Sequence, residues 1–222
     1  MPRTYSSPTR DEDARRTREA IVRASAKLFA RDGYGKTTMA DIAREAGVSV
    51  QTVHLAGPKA ALLIAAFEVS FAGDEGRHGL SERPALVEIM ARPSLDDALR
   101  GWLDYVARAN DATASLVRAM TVAAETDEFA AAAVADLTMR RRADLGRAAQ
   151  WLTSRGLLAE GDREQATDEL NHLVGPETYA FFVTVSGWSP ERYRAWLEDA
   201  VRARLARWNP GASSAGQASV LR

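Results

Sequence analysis

The stretch Thr37–Lys59, TTMADIAREAGVSVQTVHLAGPK, decides the reading of the chain. Thr38 and Asp41 stand three apart ahead of an Ala/Ile run, the spacing of a helix-opening capping box. The Thr38 hydroxyl can accept from an unpaired N–H of the first turn, and Asp41 suits the positive end of the helix. Ile42 and Ala43 are expected to face inward. Ala46-Gly47-Val48 makes a turn in which Gly47 takes a positive φ without a side-chain clash. Ser49 then caps a second helix, with Val50 and Val53 expected to point back to the core and Gln51, Thr52 and His54 left on the outer face. Small Ala43 lets two short helices cross steeply.

Upstream, Ile21, Ala24, Leu28 and Phe29 recur with helical period from about Ala14 to Arg31, and Asp32-Gly33 is expected to end that helix. Three helices within about 45 residues make a minimal helix-turn-helix domain. Residues 1–13 are polar, carry Pro2 and Pro8, and are expected to form a flexible arm with Arg3 and Arg10.

Downstream, Gly57-Pro58 opens a fourth helix, AALLIAAFEVSF, apolar on most sides and therefore buried. Gly73–Pro84 reads as a loop. A helix is expected from Ser94 through Val106, broken at Asn110-Asp111, with another over Leu116–Ala124. A long helix follows over about Glu128–Ser154, with Phe129, Val134, Leu137, Leu145 and Leu152 inward. Arg140-Arg141-Arg142 reads as a solvated face. Helical spacing resumes from Arg163, pauses at Gly175-Pro176, and ends in a helix capped by Ser189-Pro190-Glu191 that runs to Trp208. The tail 209–222 is Gly/Ser/Ala-rich and expected to be disordered. No stretch reads as a strand, so the class is all-α: a helix-turn-helix domain over 14–57 and a helical domain over 58–208.

The 222 residues suffice for a substantial core. There is no cysteine, which removes a disulfide framework and fits a reducing cytoplasm. No apolar run approaches the ~18 residues of a membrane span, and the opening MPRTYSSPTRDEDARR has no apolar core of a secretory signal. Residues 1–60 hold 11 basic and 7 acidic side chains, and the remainder holds 18 and 23. A basic head on an acidic body suits contact with a polyanion. Catalysis is not expected: His54, His78 and His172 lack metal-ligand spacing, and no H-E-x-x-H, nucleophile elbow, Walker loop or dinucleotide fingerprint occurs. No cofactor and no metal are expected.

Phe29–Leu63 resembles the DNA-binding domain of TetR-type transcriptional regulators. The residues that carry the likeness are a Phe-x3-Gly-Tyr lead-in, Thr37-Thr38-x2-Asp41-Ile42-Ala43, Ala46-Gly47-Val48-Ser49, Thr52-Val53 and Lys59-x2-Leu62. The resemblance implies a cytoplasmic homodimer that binds a palindromic operator in double-stranded DNA and releases it when a small molecule enters a C-terminal ligand-binding and dimerisation domain. Repression is the family's usual mode.

In this register Thr38, Ser49, Gln51, Thr52, His54 and Lys59 are the candidate DNA contacts. Hydroxyls and N–H groups at helix starts suit phosphate, and Gln51 suits the N6/N7 edge of adenine. Candidate ligand-pocket residues are Phe71, Met90, Trp102, Tyr105 and Met120. Candidate dimer-interface residues are Phe181, Phe182, Trp196, Leu197, Val201 and Trp208, because the last helix carries more apolar bulk than a small bundle need bury.

The chain departs from the family over residues 54–58. His54 stands where the family has Tyr, the following aromatic is missing, and the segment is one residue short. Leu55 is expected to fill part of the aromatic's space. A second reading follows: a helical ligand-binding or protein-interaction dimer whose DNA binding is weakened.

Overall fold

The computed structural model describes residues 8–73, 75 and 82–208. The arm residue Arg3, the Arg10 side chain, His78 and the tail 209–222 lie outside the described residues, as does most of the 73–84 loop. Ten α-helices follow in order among the described residues, and no strand occurs there: α1 Pro8–Lys36, α2 Met39–Ala46, α3 Val50–Ala56, α4 Lys59–Ala72, α5 Pro84–Met90, α6 Leu95–Thr126, α7 Glu128–Ser154, α8 Arg163–Leu173, α9 Pro176–Tyr179 and α10 Pro190–Trp208. A π-helical turn, Ala180–Val185, continues α9. No single helix among them is long and apolar enough to cross a membrane.

The described residues fall into two compact units, one within residues 1–76 and 115–135 and the other within residues 77–114 and 136–222. This division by packing differs from a cut at residue 57. The apolar residues of α4 explain it: Ala60, Leu62, Leu63, Ala65, Ala66 and Phe67 are buried, and α4 packs on α1. A helix so committed to the head's core belongs with it.

In the first unit, α1 starts at Pro8 rather than near Ala14. Proline is favoured in a first turn, and Arg15–Glu19 and Arg16–Asp13 pairs add exposed support along the helix. Gly33, at φ 79° and ψ 172°, interrupts the helical backbone before Tyr34, as the Asp32-Gly33 pair foretells. Ile21, Val22, Leu28 and Phe29 form the inner face of α1.

The second unit has its own apolar core, in which Trp102, Leu103, Leu152, Leu170, Tyr193 and Leu197 meet. The expected break at Asn110-Asp111 does not occur, and α6 is one helix of 32 residues. Asn and Asp break helices when their side chains compete for local backbone groups. Here both are drawn into tertiary bonds instead. Asn110 Nδ2 donates to the Val174 carbonyl at 2.9 Å, and Asp111 accepts from the Tyr179 hydroxyl. The arginine run is not simply solvated. Arg141 reaches Asn171 on α8 and Glu177 on α9, and Arg142 reaches Asp168 on α8. Phe129, expected inward, is 76% exposed at the start of α7.

Candidate nucleic-acid interface

The turn at the centre of the head is built as its residues require. Thr38 is the N-cap of α2: its Oγ1 accepts from the Asp41 N–H at 3.1 Å, and the Asp41 carboxylate accepts from the Thr38 N–H at 3.1 Å. The Thr38 hydroxyl also donates to the same carboxylate at 2.6 Å. These bonds, first among them the hydroxyl's, hold the Asp41 carboxyl below the usual carboxylate range, with Arg44 adding to the effect. At the other end of α2, Gly47 sits at φ 69°, ψ 30°. The Val48 N–H returns to the Ala43 carbonyl and the Gly47 N–H to Arg44, which is a Schellman closure. Only a residue free to adopt positive φ closes the helix this way, and the next residues then start α3 at a new angle. Ser49 caps α3, accepting from the Thr52 N–H at 3.0 Å, with the two hydroxyls 2.8 Å apart.

Two faces result. Ile42, Ala43 and Val53 are almost wholly buried and lock α2 against α3 and α1. Outside lie Thr38, Ser49, Gln51 and His54, all exposed, with Thr52 half-buried beside them. Two expectations fail here. Val50 is 42% exposed rather than core, because Ser49 turns the helix start outward and Val53 alone fills the crossing. Leu55 is 83% exposed and fills no space behind α3. It lies four residues after Gln51 and so shares its face. Its position beside Gln51 was available from helical spacing, but its apolar character argued for the interior.

The junction after α3 is compact. Gly57, at φ 137°, ends α3 with its N–H on the His54 carbonyl, Pro58 is the N-cap of α4, and the helices bend by 72°. Lys59 does not extend outward. Its ammonium lies 4.2 Å from the centroid of the Tyr34 ring, and burial lowers its pKa while Asp127 opposes that shift. Tyr34 Oη donates to Asp127 at 2.6 Å. Arg18 on α1 was not expected to matter: its guanidinium donates to the Ala56 carbonyl at the end of α3 and forks onto Glu75 at 3.0 and 3.1 Å. On α2, Glu45 accepts from Lys27 of α1 at 2.6 Å.

Residues 21–66 match the family described as bacterial regulatory proteins of the tetR family. The chain's helix-turn-helix head is a TetR-type DNA-binding domain. Its matched segment runs from the inner face of α1 through most of α4, which is the helix-turn-helix head just described. Among solved structures, it is similar to a protein assigned as a TetR-family transcriptional regulator from Mesorhizobium loti, at 20% identity and a TM-score of 0.67, over 88% of this chain and 98% of that one. A second TetR-family regulator, from Rhodococcus sp., is 19% identical with a TM-score of 0.68, over 85% and 98%. NalD of Pseudomonas aeruginosa, the secondary repressor of the MexAB-OprM multidrug efflux pump, is 21% identical with a TM-score of 0.54, over 85% and 95%. At these identities the likeness establishes the fold. No curated protein matches by sequence. The chain thus carries a TetR-type DNA-binding head and a body that is all-helical among the described residues.

The other expected sites divide. Phe71 and Met120 belong to the first unit, and Met90, Trp102 and Tyr105 to the second. Trp102 is buried in the core of the second unit, with Met90 and Tyr105 packed against it. Of the residues expected at a dimer interface, Leu197, Val201 and Trp208 are 0%, 0% and 7% exposed and lie in their own chain's core. They are unavailable to a partner; α10 spends that stripe on its own unit. Phe182 and Trp196 are half-buried and stack with ring centroids 4.3 Å apart, while Phe181 stays 57% exposed. Successive residues leave a helical turn in different directions, and here Phe182 turns onto Trp188 and Trp196 while Phe181 turns outward. Among the described residues no His, Asp or Glu cluster is arranged to hold a metal ion.

Proposed function

We propose that this regulator is a cytoplasmic homodimeric repressor that grips a palindromic operator through the outer face of α3 and releases it when a small molecule binds its helical body. The observation that carries the reading is the two-sidedness of α3. Val53 is fully buried against α2, while Gln51, His54 and Leu55 stand free on the opposite face of a capped helix. Gln51 suits adenine N6/N7, and exposed Leu55 suits a thymine methyl four residues along the same face. The hydroxyls of Thr38, Ser49 and Thr52 suit phosphate at the two helix starts. Lys59 supports this less, since its ammonium is engaged with Tyr34.

Release requires that the effector prefer a state in which the two recognition helices leave the spacing of one DNA turn, roughly 34–36 Å. The dimer supplies two copies of α3, and the exposed Phe181 and Val185 offer it an apolar seat. Nothing in the sequence motifs or the head's geometry calls for catalysis.

A second reading keeps the dimer and weakens the DNA grip. It is favoured by the inward Lys59 and the aromatic-free junction at Gly57-Pro58. One experiment separates them: purified full-length protein selects fragments from its own genomic DNA at low salt. Recovery of a discrete palindromic fragment, bound with an affinity that falls steeply between about 50 and 200 mM salt, supports the first reading. Failure to retain any fragment at about 50 mM salt favours the second.

A further inference from the structure

We infer that Arg18 is a positioning residue for operator binding, clamping the end of the recognition helix to α1. This rests on the reading of α3 as the operator-binding helix. The last carbonyls of a helix have no intrahelical donor, and a helix of seven residues does not hold itself in water. The Ala56 carbonyl closes α3 and receives its donor from the Arg18 guanidinium. Arg18 lies three and four residues before Ile21 and Val22, so it leaves α1 on the face that packs the head. Its Nε reaches both carboxylate oxygens of Glu75, beyond the end of α4, at 3.1 and 3.0 Å. A third N–H also meets Glu75. One planar group therefore ties α1, the end of α3 and the segment after α4.

The tie falls on a segment that has no apolar anchor of its own. Residues 54–58 lack an aromatic anchor, Leu55 faces outward, and Gly57 is the only residue between Ala56 and the Pro58 cap of α4. No apolar side chain of residues 54–58 is buried. A polar clamp takes that place. Its charge also faces the negative end of α3, where a cation is favoured. With Glu75 forked onto it, the guanidinium is already neutralised and is not aimed at phosphate.

Lysine keeps the charge but not the fork that spans two partners, so Arg18→Lys should resemble Arg18→Gln. The test uses full-length wild type, R18Q, R18K and E75Q. Hydrogen exchange without DNA reads the clamp itself. Amides of α3 should lose protection at least about tenfold in all three variants relative to those of α2, with the helical circular dichroism retained. Binding to an operator duplex recovered by genomic selection should weaken about tenfold in each, with the salt slope of log K unchanged. Unchanged α3 protection in R18Q and E75Q overturns the inference, whether or not DNA binds. A salt slope reduced by about one in R18Q, with tighter binding in E75Q, also overturns it, because Arg18 would then be a phosphate ligand freed by loss of Glu75. If wild type retains no duplex, the operator reading falls, while the exchange result still decides the clamp.

Discussion

The Tyr34 hydroxyl donates to the Asp127 carboxylate across 2.6 Å, and the Lys59 ammonium lies over the same ring. Tyr34 enters just after the Gly33 kink, and Asp127 is the residue between α6 and α7, where it also accepts from the Ala130 N–H. One ring is thus held from its edge by a carboxylate and from its face by a cation. Burial, and then the bond to Asp127, push the Tyr34 phenol well above its ordinary value. A raised folded-state pKa contributes stability below the unfolded value of about 10, and that stability is lost as pH rises through the folded value. Urea midpoints should therefore hold to about pH 10 and fall as pH rises beyond it. Tyr34→Phe should lower the midpoint at pH 8 and shrink the alkaline fall. An alkaline fall of wild-type size in Tyr34→Phe would show that the phenol is not held neutral by this pocket.

At the opposite end of the scale stands the capping box. Thr38→Ala removes the side-chain acceptor of α2 and the hydroxyl whose bond does most to hold the Asp41 carboxyl below its ordinary range. Losing a Thr cap costs about 1 kcal/mol at neutral pH. A depressed carboxyl contributes stability above its unfolded value of about 3.9, lost as pH falls through the folded value. Wild type should lose midpoint on acidification below about pH 4, and Thr38→Ala should lose less over that interval because it starts lower. Parallel acid curves would mean that the Thr38 hydroxyl does not hold Asp41.

The head was legible because its signals are local. The Thr38/Asp41 spacing, Gly47 and Ser49 each specify a bond within five residues, and each bond forms. The body was legible only as helix. Asn110-Asp111 has a breaker's composition, yet α6 runs through it because Val174 and Tyr179, more than sixty residues away, take up both side chains. Leu55 reads as core by type and is solvent-facing by position. The stripe of α10 showed that Leu197, Val201 and Trp208 are buried, but periodicity does not say whether by their own chain or by another. Arg18 carried no signal in isolation; its meaning lies in a carbonyl 38 residues on.

Asn110 itself gives a sharp stability test. It is fully buried, and its amide is the donor to the Val174 carbonyl near the end of α8. Asn110→Ala would strand that carbonyl and leave a small void, for about 1–3 kcal/mol. Denaturant unfolding should show a lower midpoint with an unchanged helical signal in the native state. A loss under about 0.5 kcal/mol would mean that the bond is replaced locally.

Base reading can be separated from folding on α3. Gln51 and Leu55 are exposed, so truncating either should leave the melting temperature unchanged. Gln51→Ala should relax preference at one base pair of a selected operator by about 1–3 kcal/mol. Leu55→Ala should weaken discrimination between thymine and uracil, which lacks the methyl. Footprints and base preference identical to wild type in both variants would remove this face of α3 from the interface.

The dimer prediction turns on which apolar residues their own chain has not already used. Trp208 is 7% exposed inside the core of the second unit, so Trp208→Ala should cost about 3–5 kcal/mol as a core truncation and destabilise the fold. Phe181 and Val185 are 57% and 76% exposed on one π-helical turn. Beside them Phe182 stacks with Trp188 and Trp196, at centroid distances of 4.4 and 4.3 Å, so the exposed pair stands on a rigid aromatic base. An apolar patch supported in this way fits a partner surface better than it fits solvent. Phe181→Ser with Val185→Ser should therefore give a folded monomer by light scattering at micromolar concentration, with operator binding weakened by loss of the second α3. A dimer that survives this double change, with the same hydrodynamic mass as wild type, would place the subunit contact on another face.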